Sequence, residues 1–323
     1  VDPALPAPPV ATGMAKSRRP WIAALLALLL VNAGGWLLLT RSSGPAAALS
    51  ALAGTPLWSP LAQSDRPTLV VVGDYYIFGE APESTEVTRL IREFSINSRE
   101  DLDQYLMRNP AQMGRLVDLD LHYLPVAAAS ALGALMPLVS RVAGGQTARP
   151  RVITMSQLSP DLLKSADIVY VGYLSGLGLL REAVFDASNF SVGTSYDELV
   201  DDATGTRYVS DWSEFQDGRS PRRDYGYIAS LQGPSGNRIL IIAGTRDAAL
   251  AQMAENAVNP AQIGQIVGRA GGTSIEALYE VRTLGNTNFG SRLVKAAALR
   301  RPGSGAAGPG ETGPFPDTAP KEP

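Results

Sequence analysis

IVYVGYLSGLGLLREAVF, residues Ile168–Phe185, changes character twice. It opens as an apolar, β-branched run, the pattern of a strand buried on both faces. The run stops at Gly172. A short loop with Ser175, Gly176 and Gly178 follows, then a helix-like LLREAVF. Strand, glycine loop and helix in that order predict a parallel sheet with helices on its faces. Glycines at such a loop let backbone N–H groups approach an anion at the helix start. Their other use is a tight turn packed against a neighbour, and the spacing G-x3-G-x-G departs from the dinucleotide pattern G-x-G-x-x-G.

On either side of this stretch the same alternation repeats. TLVVVG (Thr68–Gly73), Arg115–Leu124, Arg151–Met155, Tyr225–Leu231, Arg238–Ala243 and Glu276–Thr283 read as strands. Helical spacing covers Val87–Phe94 behind an N-cap at Ser84. Helices are also predicted from Ser98, over Val126–Val142, from Ser159-Pro160, over Thr245–Ala257 and Pro260–Arg269, and over Gly290–Leu299. QGPSGN between two of the strands signals a β-hairpin. The fold class is α/β: a mainly parallel sheet with helices on both faces, plus a hairpin, in one or two lobes over residues 67–300. VVGDYYIFG and YVGYLSGLG share strand, glycine, five residues, glycine, an internal echo that duplicated lobes would produce.

The N-terminal run WIAALLALLLVNAGGWLLLT, Trp21–Thr40, carries no charge. A hydrocarbon core takes about 20 helical residues, so residues 21–40 are expected to span a lipid bilayer, with Trp21 and Trp36 towards the headgroups. Lys16, Arg18 and Arg19 precede the run, while Arg41 alone follows closely. That asymmetry predicts a single-pass inner-membrane protein with a cytoplasmic N-terminus and an extracytoplasmic, periplasmic main domain. A cleaved signal peptide starting at Met14 is the rival reading. Residues 1–20 and the Pro/Gly-rich 301–323 are expected to be disordered, and 41–66 to be a linker.

The 323 residues include no cysteine and one histidine, His122, and the net charge is −3. Disulfides, thiolate metal sites and histidine-rich zinc sites are thereby excluded. Basic residues are scattered, so direct nucleic-acid contact is not expected. The layout of basic flank, one apolar run and α/β domain resembles membrane-anchored proteins with an exported Rossmann-like or periplasmic-binding-protein-like sensory module. It is a resemblance of layout alone, and it implies a sensory, ligand-binding role without transferring any site residue.

In open parallel sheets, ligands bind beyond the carboxyl ends of the strands. Three strand ends carry candidate ligand residues: Asp74 and Tyr75 in GDYYIFGE, Ser175, Gly176 and Gly178 in YLSGLG, and Thr245, Arg246 and Asp247 in GTRD. Parallel strands open on one side, so these three loops are expected on one rim. Arg246 offers a fork for a carboxylate or phosphate, or an ion pair to a loop acid such as Asp74. In VDLDLHY the alternation puts Asp118, Asp120 and His122 on one face, as metal ligands, as an acid–base pair or as the wet face of an edge strand. The acids of SYDELVDDATG, Ser195–Gly205, do not fit a calcium loop and read as a solvated helix end.

The expected function is a membrane-anchored extracytoplasmic domain that binds a small anionic or polar ligand, or another envelope protein, with no cofactor identified. The rivals are an exported hydrolase or transferase using the strand-end acids, and a membrane-bound transcriptional regulator whose DNA-binding part lies upstream of Val1.

Overall fold

A computed structural model describes residues 24–32, 45–81, 86–143, 149–211, 220–284 and 287–300. The chain divides into two units, Val1–Ala48 and Leu49–Pro323. In the first, the described residues 24–32 are helical (α1). Among the described residues no helix is long and apolar enough to cross a membrane. The expected span over 21–40, and the single-pass membrane anchor drawn from it, are corrected on that finding. Residues 21–23 and 33–40 lie outside the described ones, as do 1–20 and 301–323.

The second unit is organised by a seven-stranded sheet. Its strands are β1 (Thr68–Val72), β5 (Arg151–Thr154), β6 (Asp167–Tyr173), β10 (Arg222–Gln232), β11 (Arg238–Gly244), β12 (Ile275–Leu284) and β13 (Thr287–Ala298). They lie in the order β13-β12-β10-β11-β6-β1-β5. Strands β5, β1, β6 and β11 run parallel, and β10, β12 and β13 add antiparallel pairs. All five residues of β1 are buried. Alternate side chains feed opposite layers, as the two-residue strand period requires. Val70, Val72, Val169, Val171, Leu240 and Ile242 join one apolar cluster. Leu69, Val71, Ile168, Tyr170, Ile239 and Ile241 join the other.

Helices α5 (Val126–Val142), α8 (Asp247–Ala257) and α9 (Pro260–Ala270) cover the first face. Turns 155–158 and 174–180, helices α6 (Pro160–Ser165) and α7 (Arg181–Ala187), and a small sheet cover the second. That small sheet joins β7 (Phe190–Val192), β8 (Glu198–Asp201) and β9 (Arg207–Val209) in chain order. A third sheet leaves the main one after β1. Its strands are β2 (Tyr75–Glu80), β3 (Arg89–Ile91) and β4 (Leu116–Tyr123), in the order β3-β2-β4. Helix α4 (Arg99–Arg108) packs Leu102 on Tyr76 and Phe78 there.

Several local expectations give way to tertiary pairing. Val87–Phe94 contains strand β3, bonded to β2 through Phe78–Ile91 and Glu80–Arg89, instead of a helix; the cap expected at Ser84 lies outside the described residues. Gly290–Leu299 lies mostly in β13, because the free edge of β12 offers a ladder and Leu293 a buried position. The echo of VVGDYYIFG in YVGYLSGLG is not structural: Tyr75–Glu80 is a strand, whereas Leu174–Leu180 forms two 3-10 turns. Ser195–Gly205 holds strand β8 with Glu198 and Asp201 buried, paired to Arg207 and Lys295.

The region expected to be a linker, 41–66, contributes helices α2 (Pro45–Ala53) and α3 (Ser59–Ala62). Leu52, Leu57, Trp58 and Leu61 are buried in the first-face core. The Trp58 indole N–H donates to the Ala257 carbonyl at the end of α8 (2.7 Å). Trp58→Ala is expected to destabilise the second unit by ~3–5 kcal/mol, the range for emptying a buried aromatic site. Urea unfolding measures it; a loss below about 1 kcal/mol would show that this segment is a tether.

Candidate functional site

β1, β6 and β11 are adjacent and parallel, so Gly73, Tyr173–Gly178 and Gly244–Asp247 emerge side by side on one rim. The glycines there make room for a side chain. Tyr170, fully buried, sends its hydroxyl to the Tyr173 carbonyl (2.6 Å). A methyl group on Gly73, Gly172 or Gly176 would run into that phenol. Gly176 is thus a packing residue, while Gly178, exposed at φ +46°, makes a left-handed turn beside Met155.

Most of the polar candidates on the rim are bonded within the fold. The Tyr75 hydroxyl lies 2.6 Å from Ser175 Oγ, and its ring stacks on Tyr123 at 5.3 Å. The Arg92 guanidinium sits 5.1 Å from the Tyr75 ring. Burial pushes the Tyr75 phenol above its usual range. Thr245 Oγ1 accepts from the Tyr225 N–H (3.0 Å). Arg246 pairs with Asp197 at 2.6 Å, so its acid partner comes from the loop before β8 and not from Asp74. Asp247 accepts the Ala127 N–H (3.0 Å), capping α5 from another element, and burial, with the Asp247 carboxylate nearby, pushes the Tyr173 phenol above its usual range.

Asp74 differs from these, because it borders open space. A cleft of about 510 Å³ is lined by Asp74, Asp120, Leu121, His122, Thr154, Ser156 and Gln157. Three elements build it. The chain turns out of the main sheet at Asp74, β4 returns antiparallel to β2 and carries Asp120–His122, and β5 ends beside β1 at Thr154. The turn after β5 is closed by a capping box: Thr154 and Gln157 each accept from the other's backbone. Asp74 reaches across it, accepting the Ser156 N–H at 3.0 Å and the Ser156 hydroxyl at 2.6 Å. Ser156 Oγ also lies 2.8 Å from Thr154 Oγ1.

The shared face expected for Asp118, Asp120 and His122 is broken by a bulge. Ile77 pairs with Leu121 but Gly79 pairs with Val117, so Asp118, Leu119 and Asp120 stand opposite Phe78 alone. Asp120 adopts φ +49° and donates its N–H to Asp118 Oδ1 (2.8 Å). That bond, with the Tyr76 hydroxyl (2.8 Å) and Arg99 (3.5 Å), holds the Asp118 carboxyl below the usual carboxylate range. Asp118 is thereby engaged apart from the cleft, while Asp120 and His122 line it. Among the described residues no group of three or more histidine, aspartate or glutamate side chains is placed to hold a metal ion.

No protein-family model matches the chain, and neither does any curated protein or solved structure.

Sequence reading misses Leu121, Thr154, Ser156 and Gln157 as cleft residues. The T-x-x-Q spacing of the capping box is the signal that marks the turn. Gly172→Ala should destabilise by ~1–3 kcal/mol through overpacking against Tyr170, and Tyr170→Phe in the same chain should recover part of the loss; equal unfolding midpoints for wild type and Gly172→Ala would refute the packing role. Glu198 is held below the usual range first by the Arg207 bond and then by Thr194. A depressed folded-state pKa contributes stability above the unfolded value of about 4.3 and loses it as pH falls through the folded one. The stability gap between wild type and Glu198→Gln should therefore narrow between about pH 6 and pH 3, the span of that titration, read by urea unfolding; a gap independent of pH would contradict this.

Proposed function

We propose that the second unit is a binding domain that takes a small polar ligand in the cleft beside Asp74. The observation that carries this reading is the cleft's place. It lies where β1 and β5 end, on the carboxyl rim where ligands of open α/β sheets bind. Asp74, Asp120, His122 and Ser156 are its proposed contacts. Tyr75, Ser175, Gly176, Thr245, Arg246 and Asp247 form the rim that supports it, and Gly178 shapes the adjoining turn. Binding ranks above catalysis because Ser156 Oγ is bonded to a carboxylate and a hydroxyl, and neither is the imidazole that would activate it.

One observation favours an acid–base reading of the same cleft: Asp74, Asp120 and His122 meet in it. A fragment screen by NMR separates site from surface. Hits are expected to move the amides of Asp74, Asp120–His122 and Thr154–Gln157 together. Asp74→Asn should weaken a hit that bonds the carboxylate by ~1.5–3 kcal/mol, the range for hydrogen bonds to charged groups. Hits that cluster elsewhere, or none at all, would reject the site. Turnover of an ester or glycoside fragment, lost in His122→Gln, would favour the acid–base reading.

A further inference from the structure

We infer that the cleft selects a cationic ligand, an organic ammonium that also carries hydroxyl groups. The inference rests on the reading of the cleft as a binding site and adds the sign of the ligand's charge. Asp74 and Asp120 bring two carboxylates to the cleft, and its lining contains neither lysine nor arginine. The Asp120 side chain accepts no bond from another described residue, and the strained backbone at φ +49° holds it beside the opening.

Backbone donors of the turn that an anion would need are already engaged. The Thr154 N–H goes to Gln157 Oε1 (3.3 Å), the Gln157 N–H to the Thr154 side chain, and the Ser156 N–H to Asp74. The turn therefore offers no ring of unbonded N–H groups of the kind that cradles phosphate. Cations elsewhere on the rim also have partners: Arg246 holds Asp197, Arg99 meets Asp118, and Arg92 bonds the Ile96 carbonyl and Asn97. Besides the His122 imidazole and the Gln157 amide, the cleft presents two carboxylates and two hydroxyls, which suit an ammonium group and the hydroxyls of a short polyol. Leu121 adds one apolar wall.

Three probes share a six-carbon polyol chain and differ at one end: D-glucamine is cationic, D-glucitol neutral and D-gluconate anionic. Titration of each, followed by the amide shifts of Asp74, Asp120–His122 and Thr154–Gln157, tests the sign directly. Glucamine is expected to bind at least about tenfold more tightly than glucitol, and gluconate most weakly, in line with a charge-assisted bond. Asp120→Asn tolerates the left-handed backbone, and Asp74→Asn retains an acceptor for Ser156. Each should reduce glucamine to the level of glucitol. Glucitol or gluconate binding as tightly as glucamine would overturn the charge assignment and leave the site standing. Calcium displacing glucamine from the same amides at lower concentration would replace the organic cation by a metal. If none of the three polyols moves these amides, the cationic polyol is rejected, and the fragment screen decides the site separately.

Discussion

The Tyr170 phenol occupies the point where the loops after β1 and β6 leave the sheet, and the geometry of that part of the rim depends on it. Tyr170 belongs to a strand whose neighbours are buried on both faces. Its ring needs space that only residues without a Cβ leave, so Gly73, Gly172 and Gly176 surround it. The hydroxyl must be bonded in so dry a place, and the Tyr173 carbonyl accepts it. That arrangement draws β1 and β6 together at their carboxyl ends. The chain can then turn at Asp74 into the second sheet, and the cleft opens on the far side of the turn.

Polar groups around this point are satisfied by partners distant in sequence. Arg246 at the end of β11 holds Asp197 from the small sheet's approach loop, and Asp247 caps α5 across 120 positions. Asp197 and Asp224 are partly withdrawn from water, and burial raises both carboxyls above the usual range. Such carboxylates add no stability at neutral pH. Their folded-state pKa exceeds the unfolded one, so stability falls as pH rises through that window. Glu198, held below its usual range by Arg207, acts in the opposite sense. Asp197 and Asp224 thus favour the fold at low pH and Glu198 at high pH.

A second network lies on the same face of the sheet, towards the β12–β13 edge. Glu276 is fully buried and accepts from Ser188 Oγ (2.5 Å), Tyr227 (2.7 Å) and the Asn189 N–H and amide (both 2.7 Å). Asn189 also donates to the Ala298 carbonyl at the end of β13 (2.8 Å). A buried carboxylate without partners would carry a large desolvation cost. Here four donors meet it, and they join the start of β7 to β12 and β13.

The central strands are legible in the sequence alone. TLVVV, DIVYVGY and RILIIAG are apolar at nearly consecutive positions, and only a strand covered on both faces buries such a run. The hairpin, α8, α9 and the shared rim follow from the same local signals. Packing partners settle what local pattern leaves open. Residues 89–91 and 287–298 became strands because β2 and β12 had edges to pair, and a hydrogen-bonded partner outweighs helical spacing. Trp58 joined the core because α8 offered a carbonyl and an apolar wall. The bulge at Asp118–Asp120 arose from register against β2, which the alternation of VDLDLHY does not encode. The cleft joins residues from positions 74, 120 and 156, and their meeting depends on which strands lie side by side, a property of the sheet and not of any one segment.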